Sequence, residues 1–131
     1  MNPAVSIAVD EIRATFTDHQ VDVEPDAQGG AFLKVHNLSL GDHYAQARSW
    51  FAFRITFQYP HADVYPHYCM HALSRRDGRA LAQGIHLNHS WQTPTQNTPA
   101  TMLSRRSNRL NPSLDTAATK LLKVLDWIRS A

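Results

Sequence analysis

The chain has 131 residues, of which 43% are hydrophobic and 18% are charged, a balance that suits one compact domain with a buried core. Its formal net charge of +2 excludes a strongly basic protein that binds nucleic acid through bulk charge. An array or a disordered tail is excluded as well, because the sequence contains neither internal repeats nor low-complexity segments.

The cysteine count and the apolar pattern predict a cytosolic protein. A single cysteine, Cys69, excludes an internal disulfide and fits a reducing compartment. No apolar run approaches the roughly 18 residues of a membrane span. The acidic residues Asp10 and Glu11 lie where a secretory signal would be apolar. We therefore expect no membrane partner and no nucleic-acid partner.

The N-terminal part predicts a helix followed by two short strands. The helix should run from Asn2-Pro3 to about Thr17-Asp18, because one helical face collects the apolar residues Val5, Ala8, Val9, Ile12 and Phe16. Strands are predicted at 21–23 and 31–35, on either side of a turn over residues 24–30.

The clearest strand pattern lies at residues 50–58. Phe51, Phe53, Ile55 and Phe57 alternate with polar or small residues, which indicates a half-buried antiparallel strand. This strand should stop at Tyr59-Pro60, because proline cannot donate to a ladder. A further strand is predicted at 67–73.

The last third predicts an irregular stretch and a terminal helix. Residues 85–91 are compact, and residues 92–100 are irregular by composition. The helix should begin near Asn111-Pro112, with Asn111 as its cap. Its buried stripe is predicted to contain Ala118, Leu121, Leu122, Leu125 and Ile128.

This order of elements predicts a single α+β domain over residues 1–131. It should consist of an N-terminal helix, a four-stranded antiparallel meander, a long irregular segment and a C-terminal helix. The polar stretch 98–109, rich in hydroxyls and arginines, leads directly into the terminal helix and is a candidate active-site edge.

Three local patterns in this order resemble the ubiquitin-conjugating enzyme (UBC) family. The family has a strand ending in phenylalanine that runs into a Tyr-Pro segment, similar to Phe57, Tyr59-Pro60 and Tyr65-Pro66. Its His-Pro-Asn tripeptide is similar to His86-Leu87-Asn88. Its Trp-Ser-Pro-Ala stretch before a helix is similar to 110–114, with leucine in place of tryptophan.

The resemblance implies a UBC-like fold and a place among divergent bacterial proteins of ubiquitin-like modification operons. The implied activity is that of a carrier enzyme, which accepts the C-terminus of a modifier and yields it to an amine. The implied partners are a ubiquitin-like modifier, an activating enzyme and an operon-encoded metalloprotease. No cofactor is implied.

The family nucleophile is a cysteine, and its usual spacing from Leu110 falls at about Met102, where this chain has no cysteine. A hydroxyl is one replacement, and Thr101, Ser104 and Ser107 lie close to this position. Ser104 is favoured because two arginines follow it, and Ser107 comes second. The product would be an oxyester.

A serine nucleophile needs a base within reach, and His86 or His89 is the candidate. Asn88 is the candidate donor to the developing oxyanion. These roles require the segment 98–109 to fold back beside Asn88, so that both line one shallow groove.

Two other interpretations of the missing cysteine stay open. The protein would be a catalytically inactive variant that binds a modifier or an activating enzyme, or Cys69 would be the nucleophile from a position that is structural in the family. A lone cysteine between Tyr68 and Met70 is most often a small buried hydrophobe.

The eight histidines support a different hypothesis, a metal-binding protein. His67, Cys69 and His71 would point to one face of a strand, because alternate residues share a face. Imidazole and thiolate ligands together suit zinc. His61 or His86 would supply a fourth ligand.

Overall fold

Two helices pack on one face of a six-stranded antiparallel sheet in the computed structural model, which describes residues 1–131. The elements in chain order are α1 (Pro3–Thr15), β1 (Val21–Pro25), β2 (Ala31–Ser39), β3 (Arg48–Ile55), β4 (His67–Met70), β5 (Ile85–Gln92), β6 (Asn97–Leu103) and α2 (Ala117–Ser130). The predicted α+β class with a helix at each end is confirmed. The prediction of four strands is wrong.

The strand order is β1-β2-β3-β4-β6-β5, with every neighbouring pair antiparallel. The first four strands form the predicted meander. The chain then passes to the sheet edge as β5 and returns as β6, which lies between β4 and β5. The segment 97–103, predicted to be irregular, is therefore an interior strand.

Helix α1 follows from its apolar period and its cap. Asn2 accepts a hydrogen bond from the backbone N–H of Val5 at 2.9 Å, and Pro3 occupies the first turn. The five predicted core residues are all buried: Val5, Ala8, Val9, Ile12 and Phe16. The helix ends at Thr15, two residues before the predicted end near Thr17-Asp18.

Helix α2 begins later than its sequence predicts. Thr116 is the cap, and it exchanges hydrogen bonds with Thr119 in a capping box. Asn111 instead forms a turn in which its side chain accepts from the backbone N–H of Ser113. Prediction of Asn111 as the helix cap was therefore wrong, because the turn at 112–114 separates it from the helix.

The buried stripe of α2 also differs from the prediction at one position. Leu122 is 43% exposed, whereas Leu121 and Leu125 are buried against the sheet. A helix turns by about 100° per residue, so Leu122 lies well around the axis from Leu121. Val124 and Lys120 complete the buried face in its place.

The alternation on β3 is confirmed up to Ile55. Phe51, Phe53 and Ile55 are fully buried in the main core. The strand ends there, and Phe57 lies in a turn with 54% of its surface exposed. Including Phe57 in the buried face was wrong, because the chain turns before the Tyr59-Pro60 stop signal is reached.

The sheet face opposite the helices carries a smaller aromatic cluster. Trp91 of the edge strand β5 is 4% exposed, and its ring lies 5.9 Å from that of Phe32 and 5.4 Å from that of Tyr68. Beyond Trp91, Thr95 donates to Glu24 at 2.9 Å. The β5–β6 hairpin therefore curls over this face toward β1.

No helix of the chain combines the length and apolar character needed to cross a membrane.

Candidate functional site

The segment between β6 and α2 is anchored by hydrogen bonds from Ser107 to Asp63. The backbone N–H of Ser107 donates to Asp63 Oδ2 at 2.7 Å, and its hydroxyl donates to Asp63 Oδ1 at 2.8 Å. Asp63 belongs to the proline-flanked crossover between β3 and β4. One carboxylate thus holds a serine 44 positions later in the chain.

Lys120 of α2 completes this arrangement, which we call the Asp63–Ser107–Lys120 cluster. Its Nζ donates to both carboxylate oxygens of Asp63 at 3.1 Å and to Ser107 Oγ at 2.8 Å. Lys120 is only 6% exposed, because it projects from the face of α2 that packs on the sheet. A lysine at such a position requires a partner, and the cluster supplies two.

Burial and hydrogen bonding act on both ionisable groups of the cluster. Burial alone would raise the pKa of Asp63, but the two hydrogen bonds from Ser107 and the ammonium of Lys120 outweigh it and lower this pKa. Burial lowers the pKa of Lys120, while Asp63 opposes the shift. The ammonium of Lys120 thus contacts both oxygens of the Asp63 carboxylate and forms an ion pair with it.

Ser107 and Lys120 line a surface cavity of about 490 Å³. Most of its wall is polar or charged, and Trp127 is its only hydrophobic residue. The other lining residues are Arg105, Arg106, Asn108, Asp115, Lys123, Asp126 and Ser130. Ser107 therefore borders a space that a ligand can enter.

The hydrogen-bond directions define what the Ser107 hydroxyl can do. Its proton points to the Asp63 carboxylate, which can accept it, and an N–H of Lys120 points at the same oxygen. The Ser107 hydroxyl thus has an acceptor for its proton and a cation at its oxygen, two elements of an activated nucleophile, while the lowered pKa of Asp63 limits its strength as a base. The acceptor is a carboxylate rather than the histidine that the sequence suggested.

The two other hydroxyl candidates lie elsewhere on or near β6. Thr101 is fully buried, and its hydroxyl donates to the carbonyl of Met70 at 2.8 Å, so it cannot meet a substrate. Ser104 follows β6 directly, and its backbone N–H donates to Gly84 O at 2.8 Å. The cavity beside Ser107 does not include Ser104.

A glycine permits this close approach between the two chain segments. Gly84 has a φ of +92°, and a Cβ there would lie 3.2 Å from both Ser104 O and the Trp127 ring. An alanine there would require these neighbours to shift by a few tenths of an ångström, and the positive φ would strain its backbone.

His86, Asn88 and His89 line a different cavity, of about 720 Å³, together with Arg75 and Arg79. The rings of His86 and His89 are 6.2 Å apart, on either side of a bulge where Asn88 has a φ of +64°. This cavity contains neither Ser104 nor Ser107. The expected shared groove is therefore not formed, although β5 and β6 are neighbours.

Cys69 has no access to solvent. It is fully buried on β4 within the main core, and burial raises the pKa of its thiol to about 12. A nucleophilic cysteine needs the opposite environment, one that favours the thiolate.

The structure does not assemble the predicted metal ligands. His67 and Cys69 point into the core, but β4 ends at Met70, and His71 lies exposed in the following turn. No group of three or more His, Cys, Asp or Glu side chains is arranged to hold a metal ion. His71 does not share a strand face with His67 and Cys69, because β4 ends one residue before it.

Sequence reasoning missed both Asp63 and Lys120. Lys120 carried a detectable signal, since it falls three residues after Ala117 and four before Val124, inside the buried face. Asp63 stands between two Tyr-Pro pairs and gave no comparable signal.

Comparisons with protein-family models, with curated proteins and with solved structures gave no significant match for this chain. Its function must accordingly be argued from its own side chains.

Proposed function

We propose that this chain is a UBC-like carrier of a ubiquitin-like modification pathway, with Ser107 as the acceptor of the modifier's C-terminal acyl group. The observation that carries the proposal is the Ser107 hydroxyl, which lies 2.8 Å from both Asp63 Oδ1 and Lys120 Nζ. The resemblance adds the Tyr-Pro segment before β4 and the stretch 110–114 before α2, whereas His86-Leu87-Asn88 lies along a separate cavity. Ser107 replaces Ser104 as the favoured hydroxyl.

The loading step follows from the hydrogen bonds of Ser107. Its Oγ attacks the carbonyl carbon of a thioester on the activating enzyme, and its proton passes to Asp63. Lys120 stabilises the negative charge that develops on Oγ. The carbon–sulfur bond then breaks, the thiolate leaves, and an oxyester joins the modifier to Ser107.

The unloading step returns Ser107 to its starting state. An amine attacks the ester carbonyl, the carbon–oxygen bond breaks, and Ser107 Oγ takes up the proton that the amine nitrogen loses as the amide forms. An ester is less reactive toward amines than a thioester, so the charge stabilisation from Lys120 matters in this direction too.

The proposal includes the partners that the resemblance implies. These are a ubiquitin-like modifier, an activating enzyme and a metalloprotease encoded in the same bacterial operon, acting in the cytoplasm. The exposed cavity beside Ser107 gives the incoming acyl group its route to the hydroxyl.

The test is to incubate the purified protein with its activating enzyme, modifier and ATP. We expect a covalent adduct that survives mild reductant and is cleaved by hydroxylamine or alkali. The adduct should be absent from Ser107→Ala and present in the matched variant Ser104→Ala. An adduct that persists in Ser107→Ala would refute the assignment.

A second candidate function is a catalytically inactive variant that binds the modifier or the activating enzyme. The observation that favours it is the burial of Cys69, the only thiol of the chain, with a pKa raised to about 12. Under this alternative, the Asp63–Ser107–Lys120 cluster only anchors the segment before α2. Binding of modifier or activating enzyme without any adduct would favour it.

A further inference from the structure

Two consecutive arginines beside Ser107 lie over aromatic rings at cation–π distance. The guanidinium carbon of Arg106 lies 3.9 Å from the centre of the Tyr65 ring, and that of Arg105 lies 5.6 Å from the Trp127 ring. Neither guanidinium forms an ion pair with a carboxylate of this chain. Stacking uses the face of a guanidinium and leaves its in-plane N–H donors free.

The charges around the cavity of about 490 Å³ are unevenly matched. Four cationic side chains line it, Arg105, Arg106, Lys120 and Lys123, against two carboxylates, Asp115 and Asp126. Lys120 is held by Asp63, and Lys123 lies 3.4 Å from Asp115. Asp126 has no cation within ion-pair distance, so the unpaired groups are the two arginines against one carboxylate, and the cavity keeps a small excess of positive charge.

We infer that this cavity is a subsite for the carboxylate groups of an acidic peptide segment. Guanidinium N–H pairs fit a carboxylate in a bidentate manner, and the stacked rings limit the entropy lost when such a contact forms. The polar wall suits an extended peptide backbone. Asp115 and Asp126 disfavour a compact dianion such as phosphate and allow single carboxylates spaced along a chain.

This subsite does not require Ser107 to react, so it stands apart from the proposed acyl transfer. The arginines lie next to Ser107 in the chain, and a peptide bound to them would pass the hydroxyl. In a modification pathway, the acidic segment would be part of the protein partner that approaches this cavity.

The experiment is a calorimetric titration of the protein with a capped Gly-Glu-Glu-Glu-Gly peptide and with its Gln-for-Glu counterpart. We expect binding of the glutamate peptide only, and weaker binding as salt rises. The double variant Arg105→Gln/Arg106→Gln should weaken binding about tenfold or more, because it removes two charge-assisted contacts.

The matched control is Arg13→Gln/Arg79→Gln, which changes net charge equally at exposed positions outside this cavity. It should retain native affinity. Equal affinity for the two peptides, no binding, or an equal loss in both double variants would overturn the inference. The protein is also titrated with inorganic phosphate. Tighter binding of phosphate than of the glutamate peptide would also overturn the inference.

Discussion

Lys120 connects the fold to the candidate site at the scale of single residues. It occupies the buried face of α2, yet its ammonium contacts the carboxylate of a distant crossover segment and the hydroxyl of Ser107. Charged groups in such surroundings are costly when they lose their partner. The ion pair between Lys120 and Asp63 therefore holds the side chains of the cluster in place and keeps both groups charged.

Replacement of Lys120 by methionine should reduce the free energy of unfolding by about 3 kcal/mol, because Asp63 would keep its charge without a cation. Urea denaturation at neutral pH measures the change. The matched variant Lys123→Met should alter stability by less than about 0.5 kcal/mol, since that lysine side chain is 66% exposed. Equal effects at the two lysines would mean that the buried pair contributes nothing to stability.

His67 is a second buried ionisable residue, and both of its ring nitrogens lack a hydrogen-bond partner. It packs against Phe53 with ring centres 5.1 Å apart. Burial, with a smaller contribution from Lys120, lowers its pKa from 6.5 to about 3. The folded protein therefore holds His67 neutral where an unfolded chain would bind a proton.

The buried His67 should make the fold less stable as the pH is lowered below 6.5. Below pH 6.5 the unfolded state takes up a proton at His67 and the folded state does not, so stability should fall by about 1.4 kcal/mol per pH unit on acidification. His67→Phe should flatten the profile between pH 6.5 and 4. That window lies above 3.8, the ordinary pKa of Asp63, which is lowered further in the fold. An unchanged slope in the variant would show that His67 is not buried in its neutral form.

The two helices illustrate, at the scale of elements, what an apolar period can and cannot predict. The core face of α1 could be predicted in full, because its five apolar residues are spaced regularly and nothing competes with them. On α2, three leucines within five positions left the centre of the stripe ambiguous. The buried face of α2 includes Lys120 and Val124, so its centre lies away from Leu122.

Neighbouring leucines on α2 should therefore respond differently to truncation. Leu121→Ala should cost about 2–5 kcal/mol, because Leu121 is fully buried and its loss leaves a cavity in the core. Leu122→Ala should change stability by less than about 0.5 kcal/mol, since Leu122 is 43% exposed. Thermal or urea unfolding of both variants measures the difference. Similar costs would contradict the orientation of the helix.

The β5–β6 hairpin could not be predicted, because its strands lack the apolar alternation of β3. Thr101 is a polar residue at a position that is buried in the fold. Pro99 interrupts any alternation of apolar and polar residues, so the composition alone indicates a loop. The structure satisfies the Thr101 hydroxyl through the Met70 carbonyl. Pro99 pairs with Ser90 of β5 but lies just before the residues that pair with β4. Tertiary contacts thus made a strand from a sequence with weak strand preference.

At the scale of the whole molecule, the sequence predicted the helix at each end and the first four strands, but not the β5–β6 hairpin or which distant segments meet. Ser107 lies 44 residues from Asp63 and 13 from Lys120, and no local pattern links the three. The family resemblance implies Asn88 as the oxyanion donor, and the need for a base within reach of a serine points to His86 or His89. The sheet placed them along a separate cavity, because β5 forms the outer edge.

The central claim is that the hydroxyl held in the Asp63–Ser107–Lys120 cluster accepts an acyl group. The most direct measurement is intact-mass analysis and peptide mapping of the protein after reaction with a short glycine-terminated peptide thioester, which needs no partner enzyme. We expect one acyl group, located on Ser107, removable by hydroxylamine, and strongly reduced in Lys120→Met. A protein that stays unmodified, or that carries the acyl group at any other residue, would contradict the claim.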